Sequence, residues 1–342
     1  MANLILLNLT ALLFGCQNPE SIDAYLTQKH QEGELNGNVL VIKDGETIYE
    51  KSFGYTDGSK STSLTKDYRF NVGSVYKEFP AVAIMQLVEQ GQINVNDNIA
   101  KYISELPDWA RQVTIKHLLQ YSSGLPKINW GGYFSQGINV TEVEIMHEIR
   151  GVKTLDFEPG TDYLYTNSSP ILLIKIIENI TQTSFNEYLR ENIFTPHNMP
   201  STVIKDQYPY KDKSLMAMPF DAEFKEDNYE ISLNGLLFST TARDITHWFQ
   251  QLGNFETISK QSVKFLSQEA KVGNNIQAPL GRCDWENDNI VEHLHHGSSG
   301  NYECVIRRFK QEGITIAILT NQKHGNVNEL SDKIYQIVKR DI

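Results

Sequence analysis

Strand-like segments occur near both ends of the chain, whereas the long stretch between them is helical and rich in loops. Near the start, residues 37–54 indicate a hairpin, because two runs rich in β-branched residues flank Asp44-Gly45, a strong two-residue turn signal. Near the end, residues 302–308 and 314–319 form two further strand patterns, and the second is a continuous apolar run typical of a central strand. This arrangement predicts an α/β fold in which an antiparallel sheet is built from both chain termini and flanked by helices.

The predicted division of the chain follows the same pattern. Residues 37–93 and 270–342 are assigned to the α/β sheet domain, and residues 94–269 to a mostly helical inserted subdomain. Residues 16–36 form the start of the mature chain and an N-terminal helix. The chain has 342 residues, of which 40% are hydrophobic and 21% charged, so it is long enough to fold around a real core.

The charge balance argues against a nucleic-acid partner. The formal net charge is -11 and the isoelectric point is near 5.3, and no long run of lysine or arginine occurs. Besides Cys16, the chain has only Cys283 and Cys304, too few for a disulfide framework or a cysteine metal site. A single disulfide is one alternative for this pair. We expect instead two buried thiols on neighbouring strands, because free cysteine packs as a small hydrophobe.

The N-terminus resembles a bacterial lipoprotein signal. An apolar run over residues 4–14, too short to span a bilayer, ends at Gly15-Cys16. The resemblance implies that residues 1–15 are a signal peptide, that Cys16 carries lipid, and that the protein is a membrane-anchored lipoprotein of the bacterial cell envelope, facing the periplasm or the exterior. The first three residues lack the usual lysine or arginine. A plain secretory peptide and a buried N-terminal segment are the alternatives.

A serine and a lysine lie one helical turn apart at the start of an apolar helix. Ser74 and Lys77 follow Gly73, and apolar residues recur behind them at helical spacing. A serine hydroxyl needs a neighbouring base to act as a nucleophile, and a lysine serves only when its pKa falls from about 10.4. An ordinary helix with a solvated lysine is the alternative. A second copy of the spacing, Ser63 and Lys66, lies in a polar stretch, so context has to decide.

Two further motifs occur once each in the chain. Tyr165 and Asn167 form the only Tyr-x-Asn, and His295-His296-Gly297 is the only His-x-Gly, placed just before the strand pattern of residues 302–308. Taken alone, the first is typical of a turn, and the second of a surface pair or a metal ligand pair. No carboxylate or cysteine cluster lies at ligand spacing with the histidines, so we predict neither a metal nor any other cofactor.

These motifs, in this order, resemble the serine β-lactamase and penicillin-binding protein superfamily, and in particular its class C-like branch. That branch includes D-alanyl-D-alanine carboxypeptidases, D-aminopeptidases and family VIII-type esterases. The resemblance extends over essentially the whole mature chain, with matching segments at residues 39–45, 70–74, 114–119, 123–126, 235–236, 239–240 and 319–321. It implies a β-lactamase-like fold.

The resemblance also implies the catalytic residues. Ser74 would be acylated, and Lys77 and Tyr165 would share the removal of its proton. The chemistry of the residues agrees, because a tyrosine with a pKa near 10 is useful as a base only beside a cation such as Lys77.

The substrate-binding residues implied by the resemblance come from the other two motifs. Asn167 would hold Lys77 and a substrate amide, and His295 would take the position of the lysine in the third family motif. Gly297 follows in that motif, and the backbone N–H groups of Ser74 and Ser298 would form the oxyanion hole. His296 stands where β-lactamases carry a small hydroxyl residue that binds the β-lactam carboxylate, so the sequence disfavours efficient β-lactam hydrolysis.

The sequence therefore predicts a serine hydrolase that cleaves ester or amide bonds, among them D-amino acid peptides, in the bacterial cell envelope. Its predicted partners are a small-molecule or peptide substrate and, through lipid on Cys16, a membrane. A true β-lactamase and a non-catalytic, lipid-anchored protein that binds cell-wall fragments are the alternatives. The retained Ser74, Lys77 and Tyr165 argue against the second alternative.

Overall fold

The computed structural model describes residues 21–268, 271–273 and 277–341. Cys16 and the predicted signal peptide lie outside the described residues. Within them, the strands are β1 (Gly37–Lys43), β2 (Glu46–Phe53), β3 (Phe70–Asn71), β4 (Val140–Thr141), β5 (Val203–Lys205), β6 (Ile231–Ser232), β7 (Leu237–Thr240), β8 (Arg282–Glu286), β9 (Asn289–Ser299), β10 (Tyr302–Phe309) and β11 (Ile314–Thr320).

The largest sheet confirms the predicted fold class. It has six antiparallel strands in the order β2-β1-β11-β10-β9-β8, so strands from the two ends of the chain lie side by side. β1 pairs with β11 along its whole length, with Val39 opposite Ile318. The predicted turn between β1 and β2 is also confirmed, since Asp44 and Gly45 both have positive φ, 51° and 86°, as a tight hairpin turn requires.

Helices cover both faces of this sheet. Their bounds are α1 (Ile22–Gln31), α2 (Glu78–Glu89), α3 (Ile115–Leu119), α4 (Trp130–Ser135), α5 (Glu142–Gly151), α6 (Ser168–Thr181), α7 (Phe185–Leu189), α8 (Ala242–Gly253), α9 (Lys260–Leu266) and α10 (Val327–Arg340). Short 3₁₀ helices span Gly73–Lys77, Ile99–Lys101 and Asp108–Arg111, and a π-helical turn spans Arg190–Phe194.

The apolar run of β11 is continuous because both of its faces are buried. Ile316 and Ile318 point to a core shared with α1 and α10, whereas Ala317 and Leu319 point to the larger core. That larger core contains Phe249 of α8 together with most of α2 and α6. Successive residues of a strand face opposite sides, so a strand covered on both sides loses the polar alternation of a half-exposed one.

The middle of the chain is mostly helical, and it also contains the short strands β4–β7. Strands β3, β7 and β5 form a small antiparallel sheet, and β4 and β6 a parallel pair. α8 packs against β1, β10 and β11, although it falls within residues 94–269. The domain boundaries therefore stay a prediction.

One strand was missed and one local prediction was wrong. The His295–Gly297 motif precedes β10, as predicted, but it lies inside β9, a strand that was not predicted because charged residues and histidines interrupt its apolar pattern. Cys283 on β8 and Cys304 on β10 are not on neighbouring strands, since β9 runs between them. Both thiols are free, and Cys304 is buried whereas Cys283 is partly exposed.

No helix in the described part of the chain is both long and apolar enough to cross a membrane.

Candidate active site

Ser74 lies at the start of the 3₁₀ helix that leads into α2. Gly73 precedes it with φ of +50°, a conformation that favours glycine, and its backbone N–H donates to Asn71 Oδ1 at 2.8 Å. A Cβ on Gly73 would come within 2.4 Å of the backbone nitrogen of Ser298. The glycine therefore allows the serine turn to approach the end of β9 closely.

A second glycine allows the same approach from the β9 side. A Cβ on Gly297 would lie 2.0 Å from the Val72 carbonyl oxygen and 3.0 Å from the Ser74 backbone nitrogen. The two glycines together allow the Ser74 turn and the end of β9 at Ser298 to pack closely, and the oxyanion hole formed by their backbone N–H groups stays a prediction. Two backbone N–H groups beside a serine hydroxyl are the arrangement that stabilises the negative oxygen of an acyl transition state.

Lys77 is buried beside Ser74. Its side chain donates from Nζ to Ser74 Oγ at 3.0 Å, and the Nζ atom lies 4.9 Å and 4.8 Å from the ring centres of Tyr76 and Tyr165. The residue is 4% exposed. No carboxylate among the described residues pairs with this amine, and burial lowers its pKa to about 7. The predicted contact between Ser74 and Lys77 is thus present. Because the pKa of the amine is about 7, a large fraction of it is in the neutral form at physiological pH.

Tyr165 completes the group of three predicted catalytic residues. Its hydroxyl oxygen is buried and makes no hydrogen bond to the described residues. Burial raises the pKa of the phenol to about 12, although the nearby Ser74 hydroxyl works in the opposite direction. The phenol is therefore protonated at neutral pH, and it suits the relay of a proton more than its permanent removal.

The segment that carries Tyr165 is held by the loop over residues 121–126. The Leu164 N–H donates to the Tyr121 carbonyl at 2.9 Å, and the Thr166 and Ser168 hydroxyls donate to the Pro126 carbonyl at 3.1 and 3.2 Å. The Tyr121 ring also packs on the Tyr165 ring, with centres 4.7 Å apart. Tyr121 has a positive φ of 53°, which is unusual for a non-glycine residue.

Ser74 and Lys77 open into a cavity of about 380 Å³. Asn167, which immediately precedes α6, lines this cavity, and its side chain makes no hydrogen bond to another described residue. Its amide is accordingly available to a bound molecule, and its predicted role stays a prediction. Ser298 also lines the cavity, as do Asn71, Gly73, Tyr76, Trp130, Phe134, Tyr229, Ile231, Leu236, Leu237, Ser299 and Gly300.

Part of the cavity wall is aromatic. The rings of Trp130 and Phe134 are stacked with centres 6.1 Å apart, and Phe134 lies 5.2 Å from Tyr229. Among the cavity-lining residues that the structure describes, Lys77 is the one cation, and none is a carboxylate. Among these described residues, the cavity therefore offers apolar and aromatic surface together with a single, buried amine.

The two histidines of the third motif face different surroundings. His295 is only 2% exposed, and its Nδ1 lies 2.7 Å from Glu78 Oε1. His296 is partly exposed, and its Nε2 lies 3.0 Å from Glu303 Oε1 on β10. Neither side chain is among the described residues that line the cavity. A direct contact between His295 and the substrate stays a prediction.

Glu78 is a site residue that sequence analysis missed. It follows Lys77 directly and is fully buried, with both carboxylate oxygens hydrogen-bonded. A charged residue at a position where a helix is otherwise apolar was the available signal. Its partners could not be named from the sequence, since they lie 170 to 217 residues away along the chain.

Two alternatives find no support in the geometry. Ser63, the serine of the second Ser-x-x-Lys, is exposed and lies outside any helix. In the described ranges, no group of three or more histidine, cysteine, aspartate or glutamate side chains is arranged to hold a metal ion.

The fold and the site together define a penicillin-binding-protein-like serine hydrolase scaffold. Residues 22–339 match the family model described as Beta-lactamase, and the chain belongs to this family.

The relatives agree with this assignment. The chain is 26% identical over 329 residues to penicillin-binding protein 4* of Bacillus subtilis, with 89% of this chain and 71% of that protein covered. It is also 26% identical over 332 residues to protein flp of Staphylococcus aureus, with 92% of this chain and 65% of that protein covered, so it spans about two thirds of flp. The crystal structure of a penicillin-binding protein from Bacillus halodurans has a similar fold, with a TM-score of 0.79, 19% identity, and coverage of 92% of this chain and 99% of that one.

Proposed function

We propose that this protein is a serine hydrolase that forms an acyl-enzyme on Ser74 and cleaves neutral esters. The observation that carries the proposal is the 3.0 Å hydrogen bond between Lys77 Nζ and Ser74 Oγ, made by an amine whose pKa burial lowers to about 7. Such an amine is largely neutral at slightly alkaline pH, where it accepts the serine proton as the hydroxyl attacks.

The proposed reaction has two halves. Ser74 Oγ forms a bond to the acyl carbon while its proton moves to Lys77 Nζ, and the backbone N–H groups of Ser74 and Ser298 stabilise the resulting oxyanion. The bond to the leaving alcohol then breaks, and the alkoxide takes the proton from Lys77 directly or through the Tyr165 hydroxyl. In the second half, a water molecule gives a proton to the same base and attacks the acyl-enzyme, which releases the acid and restores Ser74.

The cavity supports a neutral substrate. A free carboxylate on the substrate would need a cation, and a free ammonium group would need a carboxylate, because burying an unpaired charge is costly. Among the described lining residues, Lys77 is the one cation and is required as the base, and no carboxylate is present. Trp130, Phe134 and Tyr229 offer apolar surface instead, which suits an aliphatic or aromatic acyl group.

The charge of the cavity lining also bears on the alternative substrate classes. D-Alanyl-D-alanine carboxypeptidases and β-lactamases act on substrates with a free carboxylate, and D-aminopeptidases on substrates with a free ammonium group, so each fits the lining less well than a neutral ester does. A non-catalytic binding protein would have no use for a buried lysine held against a serine, because burying that amine costs free energy without a return in stability.

A matched pair of substrates tests the proposal. The 4-nitrophenyl ester of hexanoic acid should have a kcat/KM at least about 10-fold higher than the mono-4-nitrophenyl ester of adipic acid, which has a similar chain with a terminal carboxylate. Ser74→Ala should abolish turnover of both, whereas Ser63→Ala, the matched control, should leave it unchanged. Equal turnover of the two esters would contradict the substrate class, and undiminished activity in Ser74→Ala would contradict the mechanism.

We also propose that the protein is anchored in a bacterial membrane through lipid on Cys16, supported by the ending Leu13-Phe14-Gly15-Cys16 after a short apolar run. Replacement Cys16→Ser should move the protein, expressed in a bacterial host, from the detergent-soluble membrane fraction to the soluble fraction. Wild-type protein that is already soluble and retains Met1 would contradict the anchor.

A further inference from the structure

Glu78, the residue after Lys77, is a fully buried carboxylate surrounded by hydrogen-bond donors. Its Oε2 accepts from Trp248 Nε1 of α8 at 2.7 Å, and its Oε1 accepts from two imidazoles of β9, His293 Nε2 at 3.0 Å and His295 Nδ1 at 2.7 Å. Lys77 is not among its hydrogen-bond or ion-pair partners in the described residues. The carboxylate adjacent in sequence to the proposed base is therefore held by other groups.

The hydrogen bonds fix where protons lie in this cluster. His293 Nε2 contacts two acceptors, Glu78 Oε1 and the Leu280 carbonyl at 2.9 Å, so this nitrogen carries a hydrogen. His295 Nδ1 likewise carries a hydrogen, because its partner is the same carboxylate oxygen. Only donors surround Glu78, which is the environment of an ionised carboxylate.

A buried anion requires a nearby cation, and His293 is the better placed of the two imidazoles. Lys77 acts on His295 and disfavours a positive charge there, whereas His293 stacks on Phe249 with ring centres 4.1 Å apart and faces Cys283 across the sheet. Burial opposes the charged form of His293, whereas the Glu78 carboxylate at 3.0 Å favours it and raises the pKa of His293. Burial lowers the pKa of His295.

We propose that Glu78 and His293 form a buried ion pair that keeps Lys77 able to act as a base. The His293 imidazolium neutralises the charge of Glu78, and the hydrogen bonds to Glu78 hold its carboxylate away from Lys77. The Lys77 amine therefore becomes neutral and accepts the Ser74 proton. Glu78 and His293 are both positioning residues, since neither lines the cavity. This inference rests on the proposed function of Ser74 and Lys77.

The pair affects Lys77 because charges interact more strongly in a buried site, where the effective dielectric constant is low. A carboxylate left without its counter-charge next to Lys77 would favour the ammonium form and raise the pKa of the lysine. The other groups that face the Lys77 amine are the Ser74 hydroxyl, the neutral phenols Tyr76 and Tyr165, and His295. Burial lowers the pKa of Lys77, and a Glu78 carboxylate neutralised by its own partners leaves this effect of burial unopposed.

The pH dependence of kcat/KM for the neutral hexanoate ester tests the pair. Activity requires neutral Lys77, so kcat/KM rises with pH through the pKa of this residue, and a raised pKa moves the acid midpoint to higher pH. In His293→Gln, which keeps an N–H donor but removes the cation, the midpoint should rise by about 1 pH unit or more. In the double variant Glu78→Gln with His293→Gln, which removes both charges, the midpoint should return to within a few tenths of the wild-type value.

A merely structural role for the cluster would lower stability and total activity in these variants without moving the midpoint in this pattern. An unchanged or lowered midpoint in His293→Gln would overturn the proposal, including the case in which His295 takes over the proton. A double variant that stays as shifted as His293→Gln would overturn it as well.

A measurement on the unaltered protein covers the case in which these variants fail to fold. In wild-type protein labelled with ¹⁵N-histidine, the His293 imidazole should remain protonated on both nitrogens from about pH 5 to about pH 8, whereas His295 should show a single N–H at Nδ1 near neutral pH. A neutral His293 at pH 7 would overturn the pair. This outcome is independent of catalysis, whereas persistent hydrolysis by Ser74→Ala would overturn the proposed function and leave the protonation states intact.

Discussion

Lys77 and Glu78 are consecutive, buried and charged in solution, yet their surroundings are opposite. Among the residues that the structure describes, the Lys77 amine has one polar partner, the Ser74 hydroxyl, and it lies near the rings of Tyr76 and Tyr165. The Glu78 carboxylate accepts three hydrogen bonds from nitrogen donors. Burial therefore lowers the pKa of Lys77 to about 7, whereas at Glu78 the histidines outweigh burial and lower the pKa to about 2.

The difference between Lys77 and Glu78 distinguishes residues that react from residues that hold the reacting residues in place. A fully satisfied charge is stable in one protonation state and contributes to the fold, whereas an under-partnered amine such as Lys77 is close to a change of protonation state and can exchange a proton. Like the Lys77 amine, the buried hydroxyls of Tyr76 and Tyr165 have few polar partners, since neither makes a hydrogen bond to the described residues. We expect substitutions on the two sides to affect activity and stability differently.

The largest effect should come from Lys77→Met, which removes the base and keeps a side chain of similar length. We expect kcat to fall by about 10²–10⁴-fold, the usual contribution of a general base. The thermal midpoint should rise at the same time, because the variant no longer buries an amine. The pKa of Lys77 is about 7 in the folded protein and about 10.5 in the unfolded chain. The gain in stability should therefore be greatest below pH 7 and vanish above about pH 10.5.

Scanning calorimetry across this pH range, with steady-state kinetics, measures both effects. A Lys77→Met protein that is less stable than wild type at pH 7 would contradict the assignment of Lys77 as a costly, under-partnered group.

The opposite result is expected for Glu78→Ala. This change leaves the donors of Trp248 and His295 buried without an acceptor and removes one of the two acceptors of His293, so the free energy of unfolding should fall by about 3–5 kcal/mol. Urea unfolding monitored by tryptophan fluorescence measures the loss. Lys175→Ala is a matched control, because it breaks a 2.9 Å surface ion pair with Glu142 and should cost less than about 1 kcal/mol. If Glu78→Ala lost no more free energy of unfolding than Lys175→Ala, Glu78 would not be the stabilising, fully hydrogen-bonded charge that distinguishes it from Lys77.

The Ser74–Lys77 contact and the Glu78 cluster were not equally predictable from the sequence. The contact between Ser74 and Lys77 is local, so spacing on a helix was enough to predict it, and the hairpin and the apolar β11 were predictable for the same reason. The Glu78 cluster depends on pairing between α2, α8 and β9, which no local pattern reveals. β9 itself was missed because its residues meet charged and aromatic partners on one face, which breaks the usual alternation.

A smaller effect should follow from Trp130→Ala, which removes an aromatic side chain from the cavity wall. We expect KM for the hexanoate ester to rise by about 10-fold, with kcat little changed, because the ring contributes apolar contact and no chemistry. The acetate ester is the internal control, since its short acyl group should lose much less. An equal loss for both esters, measured by steady-state kinetics, would show that Trp130 supports the catalytic residues instead of the acyl group.

The smallest effect should come from restoring the third-motif pattern of the β-lactamases with His295→Lys and His296→Thr. A lysine at position 295 would meet Glu78, so most of its charge would be cancelled before it reached a substrate carboxylate. We expect the ratio of kcat/KM for a cephalosporin to that for the hexanoate ester to rise, but by less than about 10-fold. A wild-type protein that already hydrolyses cephalosporins as fast as the neutral ester would contradict the account of the cavity.

The most direct test of the central claim is to trap the acyl-enzyme. Purified protein mixed with the neutral 4-nitrophenyl hexanoate ester, quenched in acid and examined by intact-mass spectrometry should carry one acyl group, and peptide mapping should place it on Ser74. Ser74→Ala should show no adduct, and Lys77→Met should show one that forms far more slowly. An adduct on Ser63, or equal labelling of Ser74→Ala and the wild type, would contradict the assignment of Ser74 as the nucleophile.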